Sequence, residues 1–216
     1  GYQDNYYFQM IYNIRRFKGI SGNGLAVAEK SIDIYGSLSQ WESVNTGFSD
    51  LAGDAVKRDF TDAANTGQYI DESNRNDIIE VRVAQDSKYL YFLITCAQDI
   101  TPYESGDNWM NILLSTGGEN SFEGFDYIIN RSPQGQKTSI ERSVGGFDFE
   151  KVGNADICLS GQYLQIRIKK SIIGVETGDT LQFKVSDNVT DISDIMSYYT
   201  SGDTAPYGRL SFYIKP

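Results

Sequence analysis

The chain has 216 residues, enough for one large domain or two small ones. It carries 19 basic and 29 acidic residues and no histidine, for a net charge of -10. An acidic surface repels phosphate backbones, so nucleic-acid binding is not expected. The lack of histidine excludes histidine-based catalytic triads and histidine-ligated zinc or haem. No apolar run approaches the roughly 20 residues that span a bilayer, so membrane insertion is not expected either.

Residues 1–20 are predicted to form a connector helix that ends an upstream domain or a linker. Asp4 is a suitable N-cap, and apolar residues recur at helical spacing up to Phe17. Basic residues precede Gly19, which favours a helix end at that glycine. One short helix cannot bury so wide an apolar stripe against itself, so we expect it to pack on a neighbouring domain.

From residue 21 onward, apolar residues recur with period two, as in half-buried strands. The strand-like segments are 79–83, 89–96, 109–114, 125–130, 138–144, 164–168, 181–185 and 210–214. One apolar face per strand, with turn residues between strands, is typical of antiparallel sheets packed face to face. We therefore predict an all-β fold over residues 21–216, an antiparallel two-sheet β-sandwich of about ten strands.

The two cysteines do not form a disulfide framework. Cys96 and Cys158 both lie in strand-like segments. Two buried thiols that act as small hydrophobic residues are favoured over a single bridge.

A stretch between Trp41 and Asp77 has weak periodicity and many acidic residues. A loop region of this length is usually functional or held by an additional interaction. Because the available ligands are carboxylate oxygens, calcium is the metal that fits this stretch. We predict a structural calcium ion bound by Asp50, Asp54 and Asp77. The alternative is a solvated acidic surface, since the sequence has no EF-hand loop.

Four motifs in order resemble family 9 carbohydrate-binding modules and their DOMON-like relatives. Residues 31–41 resemble the opening I-D-G-x-L-x-D-W, and residues 81–92 are similar to V-x-x-x-x-D-x-x-Y-L-Y-V. Residues 102–108 resemble P-W-E-x-D, and residues 202–210 are similar to the closing P-x-x-x-G-x-L. The resemblance spans residues 31–216 and rests on the order of the motifs.

This resemblance implies a non-catalytic, immunoglobulin-like β-sandwich, the C-terminal module of a larger polysaccharide-active bacterial protein. The family is appended to glycoside hydrolases, which implies an extracellular, periplasmic or cell-surface location. Its members bind carbohydrate, and some contain calcium.

The family also implies which residues bind the sugar, because some members hold it between two Trp side chains. These two positions fall on Tyr103 and on Tyr198 or Tyr199, and Tyr offers a smaller stacking face than Trp. Trp109 is an additional candidate close to Tyr103. The polar side chains expected to bind sugar hydroxyls are Glu104, Asp187 and Asn188. For the last two, a turn is the alternative.

Enzymatic activity is not expected. Glycoside hydrolysis requires two facing carboxylates, and the sequence has no E-x-D-x-x-E run. Serine and cysteine nucleophiles lack a histidine base. The predicted function is therefore to dock a glycan for an attached hydrolase by aromatic stacking and polar contacts, with no required cofactor beyond the structural calcium.

The alternative function is a structural spacer without sugar affinity that packs on the upstream domain. A redox module of related topology is excluded, because its haem requires a histidine ligand. Exposure of Tyr103, Trp109 and Tyr199 on one patch favours the binding module, and their burial favours the spacer.

Overall fold

The computed structural model describes residues 10–11, 13–15, 17–18, 24–62, 64–106, 108–176 and 178–216. The described residues from 10 to 17 are helical and Lys18 lies in a turn, while the other residues of the predicted connector helix lie outside the described residues. Met10, Ile14 and Phe17 are exposed, so this part of the apolar stripe is not buried. No helix in the described part of the chain is long and apolar enough to cross a bilayer.

The rest of the described chain is mostly β structure, as predicted. The strands are β1 (Leu25–Ala26), β2 (Ala28–Glu29), β3 (Gly47–Ser49), β4 (Arg58–Thr61), β5 (Gln68–Asp71), β6 (Ile78–Gln85), β7 (Tyr89–Cys96), β8 (Asn111–Ser115), β9 (Tyr127–Ile129), β10 (Lys137–Gly145), β11 (Asp148–Ser160), β12 (Tyr163–Lys169), β13 (Leu181–Asp187), β14 (Asp203–Ala205) and β15 (Phe212–Lys215). Three short helical segments accompany them: the 3-10 helix Leu38–Trp41 and the helices Lys170–Ile173 and Ser197–Thr200.

The strands form one large, nearly closed sheet and one small sheet. The large sheet has the order β1-β15-β13-β8-β9-β10-β11-β12-β7-β6-β2, with β14 beside β13 and β3 beside β6. Strands β4 and β5 form a separate hairpin. The expected division into two separate sheets is not confirmed, because the hydrogen-bonded ladder continues through β9, β10 and β11.

The large sheet curls so that its opposite parts face each other across one apolar core. The ring of Phe92 on β7 lies 5.3 Å from that of Phe183 on β13, although six ladder steps separate these strands. Phe48 on β3 lies 4.7 Å from Phe212 on β15, ring centre to ring centre. The two free edges of the sheet therefore meet along a seam, with β6 and β3 on one side and β15 and β14 on the other.

The seam is closed at both of its ends. At one end, β1 pairs in parallel with β15 and β2 pairs in parallel with β6, so a single short segment bridges the two edges. At the other end, the carboxylate of Asp203 at the start of β14 accepts a hydrogen bond from the N–H of Ile78 at the start of β6, at 2.7 Å. The acidic residues discussed below lie at this second end.

Both cysteines are free, as predicted. Cys96 is buried in the main core, where burial raises the pKa of its thiol. Cys158 is half-buried on the outer face of the sheet, beside Tyr163 and the residues around Trp41.

Candidate functional site

An acidic cluster lies at the end of the seam. Asp50 follows β3, Asp54 lies in the next loop and Asp203 begins β14. One carboxylate oxygen from each of these three residues lies within 4.8 Å of the other two, the one such grouping found among the described residues. Asp77, just before β6, lies beside them and accepts a 2.8 Å hydrogen bond from the N–H of Gly53.

Several oxygens of this cluster are buried without a donor. Asp203 is satisfied, because its carboxylate accepts hydrogen bonds from the backbone N–H groups of Ile78 and Thr204. In contrast, one oxygen each of Asp50, Asp54 and Asp77 is inaccessible to solvent and has no hydrogen-bond partner. A buried polar atom without a partner raises the free energy of the folded state, so a cation or a hydrogen-bond donor bound at these oxygens would stabilise the fold.

The pKa values of three of these carboxylates are raised, because the groups are buried close to one another. Burial, together with the neighbouring Asp54, raises the pKa of Asp50 to about 7. Burial and Asp77 raise the pKa of Asp54 to about 6, and the pKa of Asp203 lies well above its ordinary value for similar reasons. Several carboxylates brought together in a poorly solvated space disfavour one another's ionised forms.

Lys184 provides a positive charge near this end of the seam. Its side chain is fully buried, and its ammonium group donates a hydrogen bond to the carbonyl of Pro206. Burial lowers the pKa of Lys184 to about 7, and the nearby Asp50 and Asp203 act in the opposite direction. Arg58 opposes the rise in the pKa of Asp54, so a lysine and an arginine both act on this group of carboxylates.

The structure brings together the three acids expected from the sequence and adds a fourth. Asp50 and Asp54 belong to the grouping with Asp203, and Asp77 lies beside it rather than in it. Sequence reasoning missed Asp203, because it treated Gly202 and Asp203 only as part of the closing motif. Nothing in the local sequence around Asp203 marks it as a partner of three acids that lie far away in the chain.

The predicted aromatic site around Trp109 is largely internal. Trp109 is only 2% exposed, and its indole N–H donates to the carbonyl of Thr101 at 2.6 Å. Tyr103 is half-buried, with its ring 5.9 Å from that of Trp109 in an edge-on arrangement. Glu104 is exposed beside it. Trp109 therefore belongs to the core and presents no free ring face to a ligand.

The second predicted aromatic position is also engaged in packing. Tyr198 is 2% exposed, and its hydroxyl donates to the carbonyl of Ile192. Tyr199 is half-buried, its ring lies 5.4 Å from that of Tyr207, and its hydroxyl accepts the N–H of Arg209. These contacts fasten the C-terminal loops to one another. The structure does not bring Tyr198 and Tyr199 together with Tyr103 into one exposed patch.

The predicted polar residues bind backbone and side-chain groups of this chain. Asp187 is fully buried, where one oxygen accepts the N–H of Met110 and the other pairs with Arg75 at 3.1 Å. Burial raises the pKa of Asp187 to about 6, while Arg75 opposes that rise. Asn188 has a φ of 55° and donates to the hydroxyl of Ser73, which agrees with the turn alternative. Both residues tie neighbouring loops to the end of β13.

A feature that sequence reasoning missed is the β4–β5 hairpin, which carries an exposed aromatic pair. In its register Arg58 lies opposite Asp71, and Phe60 lies opposite Tyr69, all on one face. The rings of Phe60 and Tyr69 are 5.4 Å apart and are 38% and 39% exposed. Helix Ser197–Thr200 lies beside β5.

The base of this hairpin is fixed by a buried ion pair. The guanidinium of Arg58 donates to the carbonyl of Gly202 at 2.7 Å and to the carbonyl of Asp54 at 3.2 Å. The carboxylate of Asp71 lies 3.5 Å from the guanidinium and accepts the N–H of Gly202 at 2.6 Å. The hairpin is therefore joined to the acidic loop and to the residue preceding Asp203.

The turn of the hairpin has local signals of its own. Asp62 accepts hydrogen bonds from both the N–H and the hydroxyl of Thr66, which closes the connection between β4 and β5. An acidic turn residue followed by Thr66 and Gly67, between two short aromatic segments, is the pattern that indicates this hairpin.

Comparison with protein-family models and with curated proteins found no match for this chain.

Proposed function

We propose that this chain is a non-catalytic glycan-binding module whose binding surface is the aromatic face of the β4–β5 hairpin. The observation that carries the proposal is the exposed pair Phe60 and Tyr69 on a hairpin whose base is fixed by the buried Arg58–Asp71 pair. Aromatic rings at a rigid surface bind the apolar C–H faces of sugar rings. Because the hairpin is already ordered, binding has a low entropic cost.

In this proposal the hairpin has the role that the family resemblance assigned to Tyr103 and to Tyr198 or Tyr199. Two aromatic side chains close together supply one stacking surface on this hairpin. Polar side chains of the opposite face, Asp59, Thr61 and Gln68, bond to one another and stabilise the hairpin rather than meeting the ligand directly. The expected ligand is therefore a neutral oligosaccharide that offers C–H faces.

The proposal also keeps the wider context that the resemblance implies. The curled sheet is interpreted as a family-9-like β-sandwich whose two halves are joined through β9, β10 and β11. Attachment to a glycoside hydrolase, an extracellular location and the absence of catalysis by this module belong to the same proposal.

A structural calcium ion at the acidic cluster is part of the proposal. Asp50, Asp54 and Asp203 would hold it, with Asp77 beside them, and the unpartnered buried oxygens of three of these acids support the fit. Calcium supplies two positive charges and prefers carboxylate oxygens. Lys184 and Arg58 already act on these carboxylates, and a bound cation would further lower the repulsion among them.

Calorimetry against a panel of neutral oligosaccharides tests the binding proposal. The titrations are made on the full chain, once in millimolar calcium and once in chelator. We expect saturable binding of at least one sugar class in calcium. Heats no larger than those of dilution for every sugar, with the protein folded, would refute the proposal.

A second candidate is a spacer module without sugar affinity, and the burial of Trp109 and Tyr198 favours it. In this alternative the Phe60–Tyr69 pair is a packing surface for another protein domain. The two candidates differ in one measurable property, since only the binding module gives a saturable sugar titration.

A further inference from the structure

Residues 24–30 cross from one edge of the large sheet to the other. Strand β1 lies in parallel beside β15, with Leu25 opposite Ile214. After a single intervening residue, Val27, strand β2 lies in parallel beside β6, with Ala28 opposite Ala84. The segment therefore bridges the two edges that would otherwise face each other across the seam.

The hydroxyl group of Thr46 forms two hydrogen bonds with the backbone where the segment crosses between the edges. Thr46 donates to the carbonyl of Ala26 at 2.8 Å and accepts the N–H of Ala28 at 3.0 Å. These two backbone groups flank Val27, where the segment leaves one edge and joins the other. The Thr46 side chain is buried, so water does not replace its hydrogen bonds.

Backbone groups make the contacts of the segment with both sheet edges, and two side chains add to them: the ammonium group of Lys30 donates to the carbonyl of Gln40 and the hydroxyl of Ser43, and Ala28 packs beside the apolar residues around Trp41. The N–H of Val27 donates to the carbonyl of Lys215, and the N–H of Lys30 donates to the carbonyl of Gln85. Val27 enters the main core, whereas Leu25 and Glu29 are exposed. A segment with one buried apolar side chain loses little burial when it detaches.

The rest of the seam has its own attachments. The Asp203 carboxylate holds the start of β6 at the far end, and the packed rings of Phe48 and Phe212 join β3 to β15 beneath. Detachment of residues 24–30 leaves these contacts in place. The contacts that hold residues 24–30 are therefore different from those that hold the rest of the seam together.

We propose that residues 24–30 form a latch that opens as a unit while the remaining sheet stays folded. Opening unpairs Ala84 and Gln85 at the end of β6 together with Ile214 and Lys215 on β15, because the same segment pairs with both short stretches, while β3 stays paired with Glu80–Arg82. This inference concerns the fold of the chain and does not depend on the proposed glycan binding.

Native-state hydrogen exchange on the full chain, measured across low denaturant concentrations, tests the latch. The amides of Val27 and Lys30 report on the latch, and those of β7 and β12 report on global unfolding. We expect the latch amides to exchange at least about 100-fold faster than the central amides, with little dependence on denaturant. Latch amides that follow the same denaturant dependence as the central strands would overturn the proposal.

Thr46→Val provides a directed perturbation, because valine keeps the shape and removes both hydrogen bonds. We expect exchange of the latch amides to accelerate by about tenfold or more, with the central amides unchanged. Thr138→Val is the matched control, since Thr138 is equally buried and its hydroxyl has no hydrogen-bond partner. Equal acceleration of latch and central amides by Thr46→Val, or no acceleration at all, would contradict the latch.

Gly24→Ala tests the latch at the contact between β1 and β15. A Cβ at position 24 would lie 2.7 Å from the backbone of Ile214, so alanine pushes β1 away from β15. We expect this variant also to accelerate exchange of the latch amides selectively. Unchanged latch protection in Gly24→Ala would show that β1 does not hold the segment in place.

Discussion

Replacing Arg58 with methionine tests whether the hairpin that carries the aromatic pair is anchored as the structure indicates. The guanidinium makes its hydrogen bonds with the carbonyls of Gly202 and Asp54, and it lies 3.5 Å from the carboxylate of Asp71. Methionine fills most of the same volume but removes every one of these contacts. The variant leaves the Asp71 carboxylate buried without its cation.

The magnitude follows from the burial of both partners. Removing one member of a buried ion pair costs about 3–5 kcal/mol of unfolding free energy. Asp71 keeps two backbone donors, the N–H groups of Gly202 at 2.6 Å and Ser73 at 2.9 Å, so we expect the lower end of that range. The expected loss is therefore about 3 kcal/mol.

Urea unfolding is the suitable assay, because urea does not screen charges as a guanidinium salt does. The cycle compares the original chain, Arg58→Met, Asp71→Asn and the double variant. If the two side chains act as a pair, the double variant loses less than the sum of the single losses, with a coupling of about 1–3 kcal/mol. Additive losses, or a loss below about 0.5 kcal/mol for Arg58→Met, would refute the anchoring of the hairpin.

Three further predictions concern the acidic cluster, the tryptophans and the C-terminal loops. The folded-state pKa of Asp50 lies above its ordinary value. In the cation-free protein this group alone should therefore lower the free energy of unfolding by about 4 kcal/mol as the pH rises from about 4 to 7. Urea unfolding in the presence of chelator, repeated across this pH range, measures the loss. Millimolar calcium should remove that loss at pH 7, and identical pH profiles with and without calcium would rule out the ion. Tryptophan emission should stay unchanged on sugar binding, because Trp41 and Trp109 are both 2% exposed; a shift that saturates with sugar would place the ligand elsewhere. Gly208→Ala should destabilise by several kcal/mol in thermal unfolding, because a Cβ there would lie 2.0 Å from the ring of Tyr199. Gly135→Ala is the matched control, with open space at a φ of 60° against 58° for Gly208, and it should cost only about 1–2 kcal/mol.

The strands with one buried face were predictable from the sequence, and those without one were not. Apolar residues of β6, β12 and β13 alternate with polar ones because one side of each strand faces the main core. Strand β7 is buried along nearly its whole length, and its alternate residues Leu90, Phe92, Ile94 and Cys96 face that core. The β4–β5 hairpin is exposed along most of its length, so neither of its faces produces that alternation. Its turn residues Asp62, Thr66 and Gly67 were the local signal for it, whereas the Arg58–Asp71 pair that fixes its base is a contact that only the folded chain defines.

The acidic cluster likewise contains residues that the sequence identified and one that it did not. Asp50, Asp54 and Asp77 were identifiable because they lie close together in an acidic stretch of sequence. Asp203 joins them only because the sheet curls and brings β14 against β6. Proximity that arises from curling has no local sequence signal.

The orientation of the Trp109 side chain is another feature that the sequence pattern did not predict. The segment after Trp109 does not alternate cleanly, so its orientation was open from the sequence. Met110 adopts a φ of 45° and donates its N–H to the buried carboxylate of Asp187. That local kink allows Trp109 to enter the core, where its indole N–H binds Thr101.

The most direct test of the account is a calorimetric comparison of four proteins with the sugar that binds best in calcium. These are the original chain, Phe60→Ala, Tyr69→Ala and the control Tyr35→Ala, which removes an exposed aromatic side chain outside the hairpin. We expect Phe60→Ala and Tyr69→Ala each to weaken binding by about tenfold or more, while Tyr35→Ala binds like the original chain. Equal affinity in all four proteins would contradict a glycan site on the β4–β5 hairpin.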